Sequence, residues 1–310
     1  MDMKLTTIAF MGKRHIAYAF SGLLLLISIA SLAMQGLVMG IDFSGGTLVE
    51  VGYRESADLS VIRAALAADG FGDATVQHFG STKDVLIRLK PEENLSSAEQ
   101  SAKVMASLNK NAASKAELRR VEYVGPQVGD DLAEDGGLAV LYSMFGILIY
   151  VAWRFEYKFA LASVAALIHD VVITLGFFSL FGLEFDLTVL AAILAVIGYS
   201  LNDTIVVFDR VRDNFRMMRQ IGPEEVLNES LNETLSRTVM TSFTTIIVVI
   251  ALAVLGGEII HNFALALLVG IGIGTYSSIF IASPIVLALG ITHQDLMVPV
   301  KEGSDIDNMP

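Results

Sequence analysis

Six long apolar stretches, separated by polar connections, dominate the chain. They fall at about 16–39, 132–153, 159–182, 187–208, 238–255 and 263–289. Each is close to the roughly 20 residues that cross a bilayer as a helix. The second has its apolar run from about residue 137 and extends back to Leu132, with Asp130 and Asp131 marking its wet end. Between the first and second stretches lies a segment, 40–131, with a different pattern. Thr47–Tyr53 alternates as a strand, and Ala57–Ala68 carries apolar residues at helical spacing. Ala74–Phe79 and Asp84–Leu89 read as strands joined by a turn at Gly80–Lys83. Ser96–Asn111 reads as a helix opened by a Ser96/Glu99 capping box, and Glu117–Val124 as a last strand. The order β-α-β-β-α-β predicts a ferredoxin-like α/β domain inserted into a polytopic α-helical membrane protein.

Basic residues set the expected orientation. Arg154 and Lys158 share one short connection, and Arg210, Arg212, Arg216 and Arg219 another. The loops Gly182–Asp186 and Gly256–Asn262 have no Lys or Arg. The positive-inside rule then puts the tails 1–15 and 291–310 in the cytoplasm and the α/β domain outside. Lys4, Lys13 and Arg14 precede the first stretch, which is longer than the apolar core of a cleaved signal peptide and reads as a retained helix. The acidic tail after Lys301 reads as disordered.

Composition narrows the chemistry. The 310 residues are 54% hydrophobic and carry a net charge of −12, which argues against a nucleic-acid partner. There is no cysteine, so disulfides, thiol nucleophiles and cysteine metal sites are excluded. No nucleotide-binding loop, nucleophile elbow or His-Glu-x-x-His is present, and no cofactor or metal is expected. The reading is of a non-enzyme whose energy comes from ions or a partner.

The candidate site lies in the fourth stretch. Asp203 is a carboxylate in an apolar helix, about 24 Å from Leu187 at 1.5 Å per residue. An ionisable group at that depth is costly and usually functional. Arg237, read as opening the fifth helix, is expected to reach Asp203 and oppose the effect of the apolar surround. His169-Asp170 in the third helix supplies a second candidate, with one residue a relay group and the other a structural hydrogen-bonder because neighbours point to different faces; Asp170 is read as the proton-coupling member and His169 as polar support. His169 has no second histidine at metal-ligand spacing. Asn202 adds a polar group beside Asp203, and Thr241, Ser242, Thr244 and Thr245 add hydroxyls that more often hold helices together. Gly45-Gly46 and Gly125-Pro126, where the chain enters and leaves the α/β domain, are read as hinges.

These segments carry a resemblance. Gly40-Ile-Asp-Phe-Ser-Gly-Gly-Thr47, Val124-Gly-Pro-Gln-Val-Gly129, Ala166-Leu-Ile-His-Asp170, Tyr199–Arg210 and Thr234-Leu-Ser-Arg-Thr238 resemble, in order and over nearly the whole chain, the SecF branch of the SecD/SecF protein-export family. The resemblance implies a six-helix half of the resistance-nodulation-division architecture in the inner membrane. It implies partnership with a separate SecD, work beside the SecYEG channel on translocating preproteins, and use of protons as the energy source. It maps the family's transmembrane Asp and Arg onto Asp203 and Arg237, and its fourth-helix motif includes Asp209. Asp130-Asp131 departs from the family's more mixed charge there. Against this stand a small-molecule efflux half-transporter, for which an outer segment of about 95 residues is small, and a scaffold whose buried charges only join helices.

Overall fold

The computed structural model describes residues 8–91, 95–110 and 115–296. The segments read from sequence as tails lie largely outside these, at 1–7 and 297–310.

Six helices are long and apolar enough to cross a membrane. The first is α1 (Arg14–Met34), after which the chain forms a two-residue strand β1 (Val38–Met39) and a one-turn helix α2 (Ile41–Ser44). The stretch read as continuous to residue 39 is thus helical only to Met34, because Gly36 at φ 69° turns the chain out of the helix. The α/β domain follows as β2 (Gly46–Gly52), α3 (Leu59–Ala68), β3 (Thr75–Phe79), β4 (Ser81–Leu89), α4 (Ser97–Lys110) and β5 (Glu117–Val124). Its antiparallel sheet has the order β3-β4-β2-β5, the ferredoxin-like arrangement. One sheet face buries Val49, Val51, Val85 and Ile87 against Ile62, Leu66, Val104 and Leu108 of the two helices. Asp58 caps α3 and the Ser96/Glu99 box opens α4. The turn between β3 and β4 is tighter than Gly80–Lys83: Gly80 alone takes φ 72°, and β4 starts at Ser81.

The remaining helices are α5 (Pro126–Arg154), α6 (Tyr157–Phe181), α7 (Leu187–Met217), α8 (Pro223–Leu255) and α9 (His261–Ser277). A π turn over Ser278–Ala282 joins α9 to α10 (Ser283–Ala288), and the two continue one span around Pro284. Three helices overrun their apolar stretches. α5 starts at Pro126, a proline tolerated at the first helical position, so Asp130 and Asp131 lie on it rather than before it. α7 runs nine residues past Phe208, where Asp209 and Arg212 pair one turn apart. α8 begins at Pro223, not near 238, and Arg237 is 14 residues inside it.

α6, α7 and α9 form the centre, and α1 packs on α6. Small residues allow close approach. A Cβ on Gly176 would fall 2.2 Å from Ser28 of α1, and one on Gly270 would fall 2.3 Å from Val196 of α7. Replacing Gly270 by leucine is expected to separate α7 from α9 and lower the thermal midpoint by several degrees, measured by unfolding in detergent.

The α/β domain is joined to the helices by more than its two covalent links. β1 pairs in parallel with β6 (Glu184–Phe185), in the connection between α6 and α7. Gly40 N–H donates to Phe185 O at 2.8 Å. Arg88 of β4 donates to Met39 O at 2.9 Å and forms an ion pair with Glu184, both side chains less than one-fifth exposed. Burial holds the Glu184 carboxyl above its ordinary range, opposed by Arg88 and aided by the nearby charges of Asp186 and Asp42. A carboxyl raised in the docked state favours docking when protonated, and that contribution is lost as pH rises through the raised value. Docking is therefore expected to tighten as pH falls, and Glu184→Gln is expected to abolish that response. Hydrogen exchange at the β1–β6 pair across pH measures both.

Candidate functional site: two buried carboxylates

Asp203 is 3% exposed, on the face of α7 that also buries Ser200, Thr204 and Val207. The spacing of 0, 3, 4 and 7 residues puts all four on one side of the helix. Its polar contact is thin: Ser242 Oγ of α8 lies 3.5 Å from Oδ2, at the outer limit of a hydrogen bond. Ser242 is tied more closely to Thr275 of α9, at 2.6 Å.

Arg237 does not complete an ion pair. It is exposed on α8, and no carboxylate among the described residues lies within 4.0 Å of it. The expected pairing is not made, because α8 turns Thr238 and Ser242 inward and Arg237 onto the neighbouring face. Thr238 Oγ1 is buried with no partner among the described residues. Asn202 is also exposed and makes no side-chain hydrogen bond among the described residues. It points away from the carboxylate next to it in sequence.

The second carboxylate is held tightly. Asp170 of α6 is 1% exposed. Its Oδ2 accepts from Ser200 Oγ of α7 at 2.6 Å and from Ser277 Oγ of α9 at 2.8 Å. Its Oδ1 meets His169 Nδ1 at 2.9 Å. Sequence reasoning separated His169 and Asp170 onto different faces. The structure joins them, because the imidazole can swing back to its neighbour's carboxylate. An ionised carboxylate would only accept, which would fix the proton on Nδ1. The other ring nitrogen, Nε2, is buried with no partner among the described residues. The ring stacks on Tyr276, whose hydroxyl binds Ser21 and Ala17 O of α1.

The two carboxylates belong to one layer. Ser200 and Asp203 are three residues apart on α7, and Thr275 and Ser277 are two apart on α9. Asp170 thus pins three helices together, whereas Asp203 is almost uncompensated. Ser200, Thr275, Tyr276 and Ser277 were not among the residues singled out from sequence. The signal for the last three was the polar run Gly274-Thr-Tyr-Ser-Ser278 inside an apolar helix.

Asp209 lies elsewhere. It accepts from Arg154 at 2.8 Å and Arg212 at 2.9 Å, two arginines that also flank the Phe155 ring. This is a clasp between the ends of α5 and α7, about 9 Å along the helix from Asp203.

The four glycine and proline positions meet each other. Gly45 and Gly46 have φ 66° and 124°. A Cβ at Gly45 would be 2.9 Å from Pro126 Cα, and one at Gly46 would be 2.4 Å from Leu89 O. Gly125 is the N-cap of α5 and Pro126 its first residue. The glycines permit close approach of the incoming and outgoing links. Gly46→Ala is expected to cost on the order of 1–3 kcal/mol, read as a lower thermal midpoint.

Comparison with known proteins places these features. Residues 104–292 match the family model described as protein export membrane protein SecD/SecF, C-terminal, and residues 30–57 match the SecD/SecF GG motif. The chain is 51% identical over 306 residues to a protein translocase subunit SecF of Vibrio alginolyticus, covering 98% of this chain and 97% of that one. It is 42% identical over 299 residues to a protein translocase subunit SecF of Escherichia coli O157:H7, covering 96% and 93%. The crystal structure of SecDF, a translocon-associated membrane protein from Thermus thermophilus, superposes with a TM-score of 0.85 at 37% identity. That match covers 93% of this chain and 39% of the SecDF chain. A multi-pass helical fold, an inserted ferredoxin-like domain and full-length similarity at this level leave one assignment: the chain belongs to the SecD/SecF family of protein-export membrane proteins.

Proposed function

We propose that this chain is the accessory subunit of the Sec export machinery that works with SecD, and that Asp203 is where the proton gradient enters the work. The observation that carries the reading is the contrast between the two buried carboxylates. Asp170 has three partners, whereas Asp203 has one marginal hydroxyl contact. A carboxylate left nearly bare in an apolar interior is costly when charged, so its protonation state is easily changed by a moving neighbour. Arg237 is that neighbour. It lies on the exposed face of α8 next to the buried Thr238, unpaired with any carboxylate among the described residues, and a guanidinium stays charged throughout. Approach of Arg237 favours release of the proton from Asp203, and withdrawal favours uptake. The sites of the SecYEG channel and of the preprotein lie beyond this chain. The α/β domain faces the periplasm, and both termini face the cytoplasm.

The test uses membrane vesicles lacking the native subunit and complemented with SecD and variants of this chain. Arg237→Lys is expected to lose most proton-driven export, because a lysine is a compact point charge without the planar fork. Wild-type export with lysine at 237 would show that any positive charge suffices. Export that ignores the proton gradient in the wild type would overturn the proposed function itself.

A further inference from the structure

The helix that carries Asp203 begins at the contact between the α/β domain and the helical bundle. Glu184 lies three residues before Leu187, the first residue of α7. Asp186 caps that helix, accepting from Val189 N–H at 2.8 Å and from Thr188 Oγ at 2.7 Å. Asp42, in the Gly-Gly link, accepts from Leu187 N–H at 3.0 Å. Asn262, at the start of α9, donates to Glu184 O at 3.1 Å. Gly40 leaves no room for a side chain, because a Cβ there would lie 3.0 Å from Asp186 Cβ. The N-termini of the two central helices are therefore fastened to the connection that Arg88 grips from β4.

We propose that Arg88 and Glu184 form the coupling pair through which movement of the Asp203 helix is passed to the α/β domain. This inference rests on the proposed proton-driven function.

Three observations carry it. First, the pair joins elements about 95 residues apart in the chain, a sheet strand and the lead-in to α7, and neither covalent link makes that connection. Second, a poorly exposed ion pair contributes little net stability, and apolar residues in its place are often as stable or more so. Arg88 Nε is also buried with no partner among the described residues, which adds to the cost. Such a pair fits a role in fixing register better than one in holding the fold. Third, the links themselves are stiff at this point. Gly45, Gly46 and Pro126 are packed against one another and against Leu89. A shift of α7 along its axis therefore meets the domain at Glu184 and Asp42 and turns it as one body, instead of being absorbed at the glycines.

The experiment uses the full chain in complex with SecD. The sequence has no cysteine, so two can be added at exposed positions, Thr82→Cys on β4 and Leu255→Cys at the end of α8, and spin-labelled. The distance between the labels reports where the domain sits. Arg88→Glu and Glu184→Arg each place like charges face to face. Each is expected to broaden the distance distribution and to lower proton-driven export about tenfold, within the range usual for coupling between distant sites. Proton flux should change less than about twofold. The exchanged pair Arg88→Glu with Glu184→Arg should restore the narrow distance and much of the export. Normal export in the single variants would overturn the proposal. So would equal loss of flux and export, which marks general damage, or failure of the exchanged pair to restore either readout. A wild-type complex whose export ignores the proton gradient would instead overturn the proposed function, and is read in the same assay.

Discussion

Asp203→Asn is expected to remove proton-driven export while leaving a folded, inserted protein. The amide has nearly the shape of the carboxylate, and it sits where the only side-chain polar contact among the described residues is a 3.5 Å approach from Ser242. Little native bonding is lost, so the thermal midpoint should stay within a few degrees of wild type. What is lost is the titratable proton, which no amide carries. Export in complemented vesicles should fall to the level seen without the subunit, and stimulation by an imposed proton gradient should vanish. Export at the wild-type level would remove Asp203 from the coupling role.

Asp170→Ala has the opposite profile. Its carboxylate is the shared acceptor for Ser200, Ser277 and His169. Alanine leaves Ser200 Oγ and His169 Nδ1 without partners, and Ser277 with only Gly274 O. Each stranded group costs roughly 1–3 kcal/mol, so the loss is a large fraction of the stability of an ordinary domain. The variant should unfold many degrees below wild type in detergent and accumulate poorly in the membrane. Asp170→Asn keeps an acceptor oxygen and should fall between. An alanine variant as stable as wild type would show that the network does not hold α6, α7 and α9 together. The two variants thus separate, by experiment, a carboxylate proposed to move protons from one that positions helices.

Much of this was legible in the sequence. The six apolar stretches appear because hydropathy decides membrane spans, and the β-α-β-β-α-β order because alternation and helical spacing differ sharply. Helix ends were less legible. α7 and α8 run on through Asp209–Met217 and Pro223–Arg237, where charged residues pair along the helix and apolar content gives no signal. That error put Arg237 at a helix start. The geometry of His169 was also out of reach, because residue spacing fixes the Cβ direction and not the rotamer that folds the ring back onto Asp170. Ser200 and Ser277 act only because α6, α7 and α9 meet, and no local pattern records that meeting. The Gly-Gly pair was readable as special backbone. That it serves close packing against Pro126 and Leu89 required coordinates.

The most direct test of the account is proton flux in liposomes. Wild-type chain and SecD are reconstituted together, and each is reconstituted alone. Arg237 of α8 and Asn202 of α7 are both exposed, and polar groups within a span need protein or water rather than hydrocarbon. The account predicts flux only when both subunits are present, and its loss when this chain carries Asp203→Asn. Undiminished flux through the complex with Asn at 203, or robust flux through this chain alone, would contradict it.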